Sequence, residues 1–279
     1  MAYKSILTIL TDIDDVAPVL EAALPFVRAE GAHLEVLCLG VDRTQTGYYF
    51  AGATAVIHDE TLQYARDEAT AIEQAVRDRL AKTEIAWGVE ALVAQTAMVA
   101  GLVARRARFV DLVMLPKPYG PNRTADAPAV VEAAMFQGQA PVLVLPGTEA
   151  PSQAPARVVV AWNESAEALT AVRRAMPLLL AADLVNILII DPSRHEANAA
   201  DPGSELSKML TRKGAKVELS IVARTMPRIS DVIARHVSDQ NADLLVMGAY
   251  GHSRFREAIL GGATRNLLEQ ASVPVLMAH

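Results

Sequence analysis

The chain has 279 residues, of which 52% are hydrophobic and 5% aromatic, and its formal net charge at pH 7 is −6. This length favours two domains, because domains usually span about 100–200 residues. The negative charge argues against a protein that chiefly binds nucleic acid, since that affinity comes largely from Lys and Arg neutralising phosphates.

Other features of the sequence bear on where the protein works. No apolar stretch approaches the ~20 residues needed to cross a bilayer, so we expect no membrane partner. Residues 1–10 lack the long apolar segment and small-residue cleavage site of a secretory signal. Because Cys38 is the single cysteine, an intramolecular disulfide is impossible. These features fit a reducing cytoplasm best.

The first half of the chain alternates apolar, strand-like runs with helical patterns. Its predicted strands are Ser5–Leu10, His33–Leu39, Val89–Ala94, Asp111–Leu115 and Pro141–Leu145. An insertion at residues 43–55 carries the aromatic triplet Tyr48-Tyr49-Phe50 and leads into a helical pattern from His58 to Leu80. We interpret the triplet as packing against its own domain, with a ligand lid or a partner contact as the alternatives.

Residues 147–155 are rich in Pro, Ser and Ala, have no hydrophobic period, and are interpreted as a linker. The predicted domains are therefore residues 1–147 and 156–279. In the second half, the predicted strands are Val158–Trp162, Val185–Ile190, Val217–Val222, Leu244–Met247 and Pro274–Met277. The predicted helices are Ala166–Leu180, Glu205–Arg212, Ile229–Asp239 and Thr264–Gln270. This alternation predicts an α/β fold of two Rossmann-like domains, each a five-stranded parallel sheet with helices on both faces.

The two halves resemble each other in sequence. The run Asp111-Leu112-Val113-Met114-Leu115 is echoed by Asp243-Leu244-Leu245-Val246-Met247, and Ala140-Pro141-Val142-Leu143 by Val273-Pro274-Val275-Leu276. The spacing from aspartate to proline differs by one residue between the halves. An internal duplication is the simplest explanation.

The glycine pattern near the C-terminus has a spacing suited to phosphate. The strand at Leu244–Met247 leads into Gly248 and Gly251, and after nine residues Gly261 and Gly262 precede a predicted helix. A glycine at a strand end lets the backbone approach a ligand, and a glycine pair at a helix start exposes unpaired N–H groups to an anion. Alternatively, these glycines only end a strand and begin a helix.

Together, the duplication and the glycine pattern resemble the universal stress protein family in its tandem, two-domain form. The motif Gly248-x2-Gly251-x9-Gly261 followed by Gly262 is similar to the ATP-binding signature of the nucleotide-binding members. The resemblance implies an adenine nucleotide alpha hydrolase-like fold in each domain and ATP as the ligand, possibly with Mg. It also implies that the last strands of the two halves pair inside the chain, and it is compatible with a homodimer.

The family resemblance implies two groups of nucleotide-binding residues. On the adenine and ribose side it places Ala161, Trp162, Asn163, Ile190 and Asp191. Along the phosphates it places Met247, Gly248, Gly251, His252, Ser253, Gly261, Gly262, Ala263 and Thr264. Two positions depart from the family pattern, since Asn163 replaces a common aspartate and Gly262 replaces a common serine or threonine. The missing hydroxyl should weaken ATP binding by about 1–2 kcal/mol without abolishing it.

The first half departs further from this pattern. Pro116-Lys117-Pro118 occupies the place of the first motif glycines, and proline both removes an amide donor and stiffens a loop. No glycine pair precedes the last helix of this half. We therefore predict that the first domain does not bind ATP in the family manner. The acidic turn around Asp12 is expected to cap the following helix, with ligand binding as the alternative.

The sequence gives no sign of a catalytic or dedicated metal site. No His-x3-His pair, Gly-x-Ser-x-Gly elbow or Gly-x4-Gly-Lys-Ser/Thr loop occurs. We expect a stress-response protein that binds ATP or a related adenine nucleotide in its C-terminal domain and acts by signalling, with at most slow ATP hydrolysis. The alternative is a scaffold or apolar-ligand-binding protein that uses the insertion at Tyr48-Tyr49-Phe50.

Overall fold

The structure is a computed structural model that describes residues 3–43, 54–121, 123–149, 151–192, 203–249 and 262–279, without the side chains of residues 54–58 and 263. The strands are β1 (Ser5–Leu10), β2 (His33–Asp42), β3 (Ala86–Gln95), β4 (Leu112–Pro116), β5 (Val142–Leu145), β6 (Arg157–Ala161), β7 (Leu184–Ile190), β8 (Val217–Val222), β9 (Leu244–Gly248) and β10 (Val275–Ala278). The α-helices are α1 (Val16–Glu30), α2 (Thr54–Leu80), α3 (Thr96–Ala107), α4 (Ala127–Glu132), α5 (Ala166–Arg174), α6 (Met176–Ala181), α7 (Ser204–Arg212), α8 (Ile229–Asp239) and α9 (Gly262–Gln270).

The chain divides into two compact units, the N-terminal unit of residues 3–140 and the C-terminal unit of residues 141–279. Strands of the N-terminal unit follow the order β3-β2-β1-β4 and are parallel. Strands β8-β7-β6-β9 of the C-terminal unit are parallel and repeat that order. Crossover helices cover both faces, as parallel strands require. The predicted α/β fold is confirmed.

One strand differs from the all-parallel prediction. β5 runs antiparallel to β10, with Val144 opposite Val275 and Val142 opposite Met277. Through its contacts β5 belongs to the C-terminal unit, although it follows the first four strands in the chain. Both strands are fully buried. Pairing between them covers an apolar strand edge that would otherwise expose unpaired backbone groups.

Burial separates the inner strands from the outer ones. Nearly every residue of β1, β4, β9 and β10 is buried, which explains their continuous apolar runs. The outermost strands β3 and β8 are only partly covered. Each unit therefore has a buried centre and one accessible outer strand.

The second half contains a helix break that periodicity did not reveal. Residues Ala166 to Leu180 were predicted as one helix, but the structure has α5 and α6 with Ala175 between them. Pro177 lies in the first turn of α6. Since proline has no N–H for the bond to the preceding turn, it favours a new helix start at this point.

The aspartate that both halves share at the start of the repeat has a structural role. Asp111 Oδ2 accepts hydrogen bonds from the backbone N–H groups of Lys4 (2.8 Å) and Ser5 (2.9 Å). Asp243 Oδ2 accepts one from the backbone N–H of Arg157 at 3.0 Å. In each unit this aspartate precedes the fourth strand, and its carboxylate accepts hydrogen bonds from amides at the start of the neighbouring first strand.

Candidate functional site

The candidate site lies where β6, β7 and β9 end in the C-terminal unit. Ala161, the last residue of β6, stands opposite Leu188 on one side and Met247 on the other. The backbone N–H of Trp162 donates to Leu188 O at 2.9 Å and extends the ladder by one residue. Because these strands are parallel and adjacent, their ends meet at one edge, where ligands of doubly wound sheets bind.

The turn after β6 is organised by its own side chains. Asn163 Oδ1 accepts a hydrogen bond from the Ser165 N–H at 3.3 Å, and Ser165 Oγ accepts one from the Ala168 N–H at 3.1 Å. Ser165 thereby caps α5. Glu164, between them, has a φ of 61°. Asn163 stays exposed at the edge of the sheet.

The end of β7 also contains a residue in an uncommon conformation. Asp191 has a φ of 50° and is exposed, while Ile190 before it is half-buried. The Asp191 N–H donates to Val222 O of β8 at 2.9 Å, which fixes this backbone. Non-glycine residues in the left-handed region cost of the order of 1 kcal/mol and concentrate at functional sites. Asp191 is therefore a candidate ligand contact.

Gly248, at the end of β9, has a packing reason to be glycine. A Cβ atom added at this position would lie 2.4 Å from the backbone nitrogen of Ala168 and 2.7 Å from the carbonyl carbon of Glu167. The first turn of α5 therefore sits directly against the strand end. The sequence reasoning assigned this glycine to ligand approach and missed the contact, which joins residues far apart in the chain.

Gly262, at the start of α9, has no such reason in its surroundings. This glycine is exposed, and an added Cβ would meet no atom of the described residues within 4 Å. The first N–H groups of a helix have no intrahelical partners and carry the positive end of its dipole. Thr264, two residues further on, is only 5% exposed.

The structure thus brings one group of predicted residues to a single sheet edge, namely Ala161, Trp162, Asn163, Ile190, Asp191, Met247 and Gly248. Gly262 and Thr264 lie in the first turn of α9. The remaining predicted residues Gly251, His252, Ser253 and Gly261, together with the Tyr48-Tyr49-Phe50 triplet, lie outside the described residues, as does the side chain of Ala263.

The corresponding edge of the N-terminal unit contains an ion pair from two loops. Arg43, directly after β2, reaches Asp126 Oδ2 with Nε at 2.9 Å and Nη2 at 2.8 Å. Asp126 is 6% exposed and directly precedes α4. Pro128 stands in the first turn of α4. This helix start therefore has a buried carboxylate and one amide fewer where an anion would bind.

A second ion pair lies beside the first strand of the same unit. Asp15 pairs with Arg123, and the hydroxyls of Thr11 and Thr124 approach to 3.5 Å. Asp12 Oδ1 accepts a hydrogen bond from the Asp14 N–H at 3.0 Å. The predicted capping role of Asp12 is confirmed for the 3-10 turn Ile13–Asp15, which leads into α1.

Carboxylates crowd this N-terminal edge. Burial raises the pKa of Asp15, and Arg123 only partly opposes that effect. Burial also raises the pKa of Glu68, which Arg43 lowers and Asp12 and Asp126 raise further. Such shifts mean that negative charge is already unfavourable here. The ion pairs were missed because their partners are 83 and 108 residues apart in the chain.

The described residues contain neither a metal-binding cluster nor a membrane-spanning helix. No group of three or more His, Cys, Asp or Glu side chains in these residues is placed to hold a metal ion. Among the helices of the described ranges, none has the length and apolar character that would take it across a membrane.

Comparison with known proteins supports a family assignment for the second half. The model of the Universal stress protein family matches residues 156–279. Universal stress protein Slr1230 from Synechocystis sp. is 30% identical over 121 residues, which are 43% of this chain and 41% of that protein. The match thus spans about two fifths of the length of that relative.

Two solved structures show the fold across nearly the whole chain. A universal stress protein from Archaeoglobus fulgidus aligns with a TM-score of 0.69 at 17% identity, covering 98% of this chain and 95% of its own. A putative universal stress protein from Pseudomonas aeruginosa aligns with a TM-score of 0.54 at 16% identity, covering 99% and 93%. The predicted resemblance to the universal stress protein family is confirmed for residues 156–279, the part of the chain that the family model matches.

Proposed function

We propose that the C-terminal unit binds ATP or a related adenine nucleotide at the ends of β6, β7 and β9. The observation that carries the proposal is the exposed start of α9 at Gly262, where neither packing nor a left-handed φ calls for glycine. Backbone N–H groups at such a helix start bind phosphate without a lysine. The protein would then act in a stress response, through nucleotide-dependent signalling or partner binding.

In this proposal the sheet edge binds the nucleoside. Trp162 and Asn163 take one side of the adenine and ribose, and Ile190 and Asp191 the other. The exposed carboxylate of Asp191 suits the ribose hydroxyls, because an ionised carboxylate only accepts hydrogen bonds.

The N-terminal unit has no comparable role in this proposal. Its sheet edge contains Asp12, Asp15, Glu68 and Asp126, which would repel a triphosphate. Opposing guanidinium groups exist there, but Arg43 already pairs with Asp126 and Arg123 with Asp15. We propose that nucleotide binding is confined to the C-terminal unit, with one nucleotide per chain.

Any ATP hydrolysis would be slow, because no described residue at the site is placed as a general base or an arginine finger. The predicted pairing of the two domains through their last strands and a dimer of chains also stay proposals. Analytical ultracentrifugation with and without ATP measures the dimer.

The test begins with the freshly purified protein, which is denatured so that released nucleotide can be identified and counted by mass spectrometry. Stripped protein is then titrated with ATP. Gly262→Ser restores the hydroxyl typical of the family and should tighten ATP roughly tenfold. Gly262→Asp places a carboxylate at the same open position and should weaken it at least as much while favouring the helix start. Equal affinity for both variants would place the phosphates elsewhere.

A further inference from the structure

The N-terminal unit contains an open groove of about 1170 Å³ between α3 and the sheet. Its floor is the face of the sheet that includes Leu7 and Leu92, and its wall is α3. Two large apolar side chains stand at opposite ends of that wall, Met98 with 67% and Phe109 with 81% of its surface exposed. The volume lies slightly above the range of about 300–1,000 Å³ that is typical of small-molecule binding sites.

The groove exists because α3 lacks bulk at its centre. Gly101 lines it, and a Cβ added there would meet no atom within 4 Å. In the C-terminal unit, Ile233 stands at the same distance before Asp243 as Gly101 before Asp111, and Ile233 is buried. The layer between this helix and the sheet is therefore filled in the C-terminal unit and open in the N-terminal unit.

The C-terminal unit also fills this layer with a polar contact. His236 of α8 lies 2.9 Å from Asn186 Oδ1, and Asn186 Nδ2 donates to Ser220 Oγ at 2.9 Å. The residue of β2 that corresponds to Asn186 in register is Glu35, which lines the groove beside His33. No α3 side chain in the described structure bonds to Glu35, so the N-terminal floor stays accessible.

Charges at the groove indicate one kind of ligand. Arg106 of α3 pairs with Glu90 of β3 at 2.5 Å, and His33 lies 3.4 Å from Glu35. Arg105, in the last turn of α3, lines the groove and makes no hydrogen bond or ion pair with any described residue. A ligand with an apolar body and one carboxylate complements the apolar floor residues Leu7 and Leu92 and this guanidinium, with its carboxylate placed away from Glu35.

The length of the groove sets the size of the ligand. From Met98 to Phe109 the wall is about 16 Å long at the rise of an α-helix. An extended chain advances about 1.2 Å per bond, so about thirteen bonds cover this distance, close to the number in a twelve-carbon chain that ends in a carboxylate. We propose that this groove binds a medium-chain alkyl carboxylate, with its chain across Gly101 and its headgroup at Arg105. The site is independent of the proposed nucleotide site.

The test uses the full chain and dodecanoate as the probe. Native mass spectrometry counts bound molecules and reports whether the chain is a monomer or a dimer, and calorimetry gives the affinity. We compare 1-dodecanol and dodecyltrimethylammonium, which share the alkyl chain but not the carboxylate. The wild type should bind one dodecanoate and prefer it to both other probes.

Two pairs of variants separate the groove from other surfaces. Gly101→Leu fills the open layer and should weaken dodecanoate at least tenfold, while the control Gly101→Ala adds one methyl group and should stay within about twofold. Arg105→Gln should weaken dodecanoate about fivefold without changing dodecanol. Its control, Arg66→Gln, removes an exposed arginine of α2 outside the groove and should change neither. Circular dichroism confirms that each variant is folded.

Several outcomes would overturn this inference. Lack of dodecanoate binding by the wild type would end it, as would unchanged binding by folded Gly101→Leu. Equal affinity for all three probes would remove the carboxylate from the proposal. A dimer that Phe109→Ser dissociates would mean that a second copy of the chain, and not a small ligand, covers the groove.

Discussion

The ends of the strands in the two units share one topology and differ in what lies beyond them. In the N-terminal unit, Arg43 and Arg123 pair with Asp126 and Asp15 across the edge of the sheet. In the C-terminal unit the corresponding loops leave Asn163 and Asp191 exposed. In both units the sheet topology leaves room for a ligand at this edge. The loop residues determine whether ion pairs of the protein fill that room.

The helix that follows the fourth strand in each unit shows the same contrast. α4 begins beside the buried carboxylate of Asp126 and contains Pro128 in its first turn. α9 begins at an exposed glycine, Gly262. Because both a missing N–H and a nearby negative charge weaken anion binding at a helix start, the start of α4 suits an anion less than the start of α9 does, despite their common position.

The largest effect is expected from Gly248→Ala. The added Cβ would lie 2.4 Å from the Ala168 backbone, so α5 has to move away from β9. We expect a loss of about 2–3 kcal/mol in the free energy of unfolding of the C-terminal unit. Urea unfolding followed through Trp162, in a Trp87→Phe background, measures it. The control Gly262→Ala lies in open space and should change stability by less than ~0.5 kcal/mol; equal losses in both variants would refute the packing role.

A smaller effect is expected from Arg43→Met in the N-terminal unit. The change leaves the buried carboxylate of Asp126 without its guanidinium, and we expect a loss of about 1–2 kcal/mol because Arg43 is itself partly exposed. Adding Asp126→Asn to this variant removes the unpaired charge and should restore part of the loss. A double variant less stable than the single one would contradict this explanation. Arg43→Met should still bind one ATP per chain, as the wild type is expected to do.

The pH dependence of the N-terminal unit should reflect Glu68. Burial raises its pKa above the ordinary 4.5, and Oε2 is buried without a hydrogen-bond partner among the described residues. The folded state therefore holds this proton more tightly than the unfolded state, and stability falls as pH rises through the raised pKa. Glu68→Gln removes that loss. In thermal melts, the melting temperature of the variant relative to the wild type should rise from pH 4.5 upward. A difference in melting temperature that does not change with pH would exclude Glu68 as the cause.

The C-terminal unit should respond to pH in the opposite direction through His236. Burial lowers the pKa of this imidazole below 6.5, with Asp239 opposing the shift. Its contribution to stability is present above pH 6.5 and is lost as pH falls toward the lowered pKa. His236→Gln keeps a donor for Asn186 and should flatten this part of the profile. A variant with the wild-type slope between pH 7 and 5 would assign the dependence to other groups.

The smallest expected effect is that of ATP on Cys38. This thiol is fully buried in β2, and burial raises its pKa to about 12, so it reacts only when the N-terminal unit opens. ATP should slow the unfolding of the C-terminal unit by mass action and leave the rate of Cys38 labelling unchanged. Slower labelling in the presence of ATP would mean that nucleotide binding also stabilises the N-terminal unit.

The sequence was sufficient for features that depend on local pattern. Alternating apolar runs and helical periods identified every strand of the described structure within a few residues, and the Asp12 turn gave its cap. It was insufficient where residues far apart meet. The Arg43–Asp126 ion pair and the contact of Gly248 with α5 join segments that nothing in the local sequence relates.

The candidate site was predictable to a similar extent. The end of a parallel strand is also the end of an apolar run, so Trp162, Asn163 and Asp191 were recognisable as edge residues. The groove beside α3 was not, because it results from a missing side chain at Gly101, and a glycine inside a helical pattern does not reveal what stands opposite it. The fold shows that no described side chain fills the space next to Gly101.

The paired aspartates at the start of β4 and β9 also constrain the order of folding. Asp111 bonds to an amide 107 residues earlier and Asp243 to one 86 residues earlier, so neither first strand is complete when it leaves the ribosome. Contacts of such sequence separation form slowly, since a long loop must close first. During synthesis β1 and β6 must each wait, as unfinished apolar segments, until the aspartate that fixes their first residues has been added to the chain.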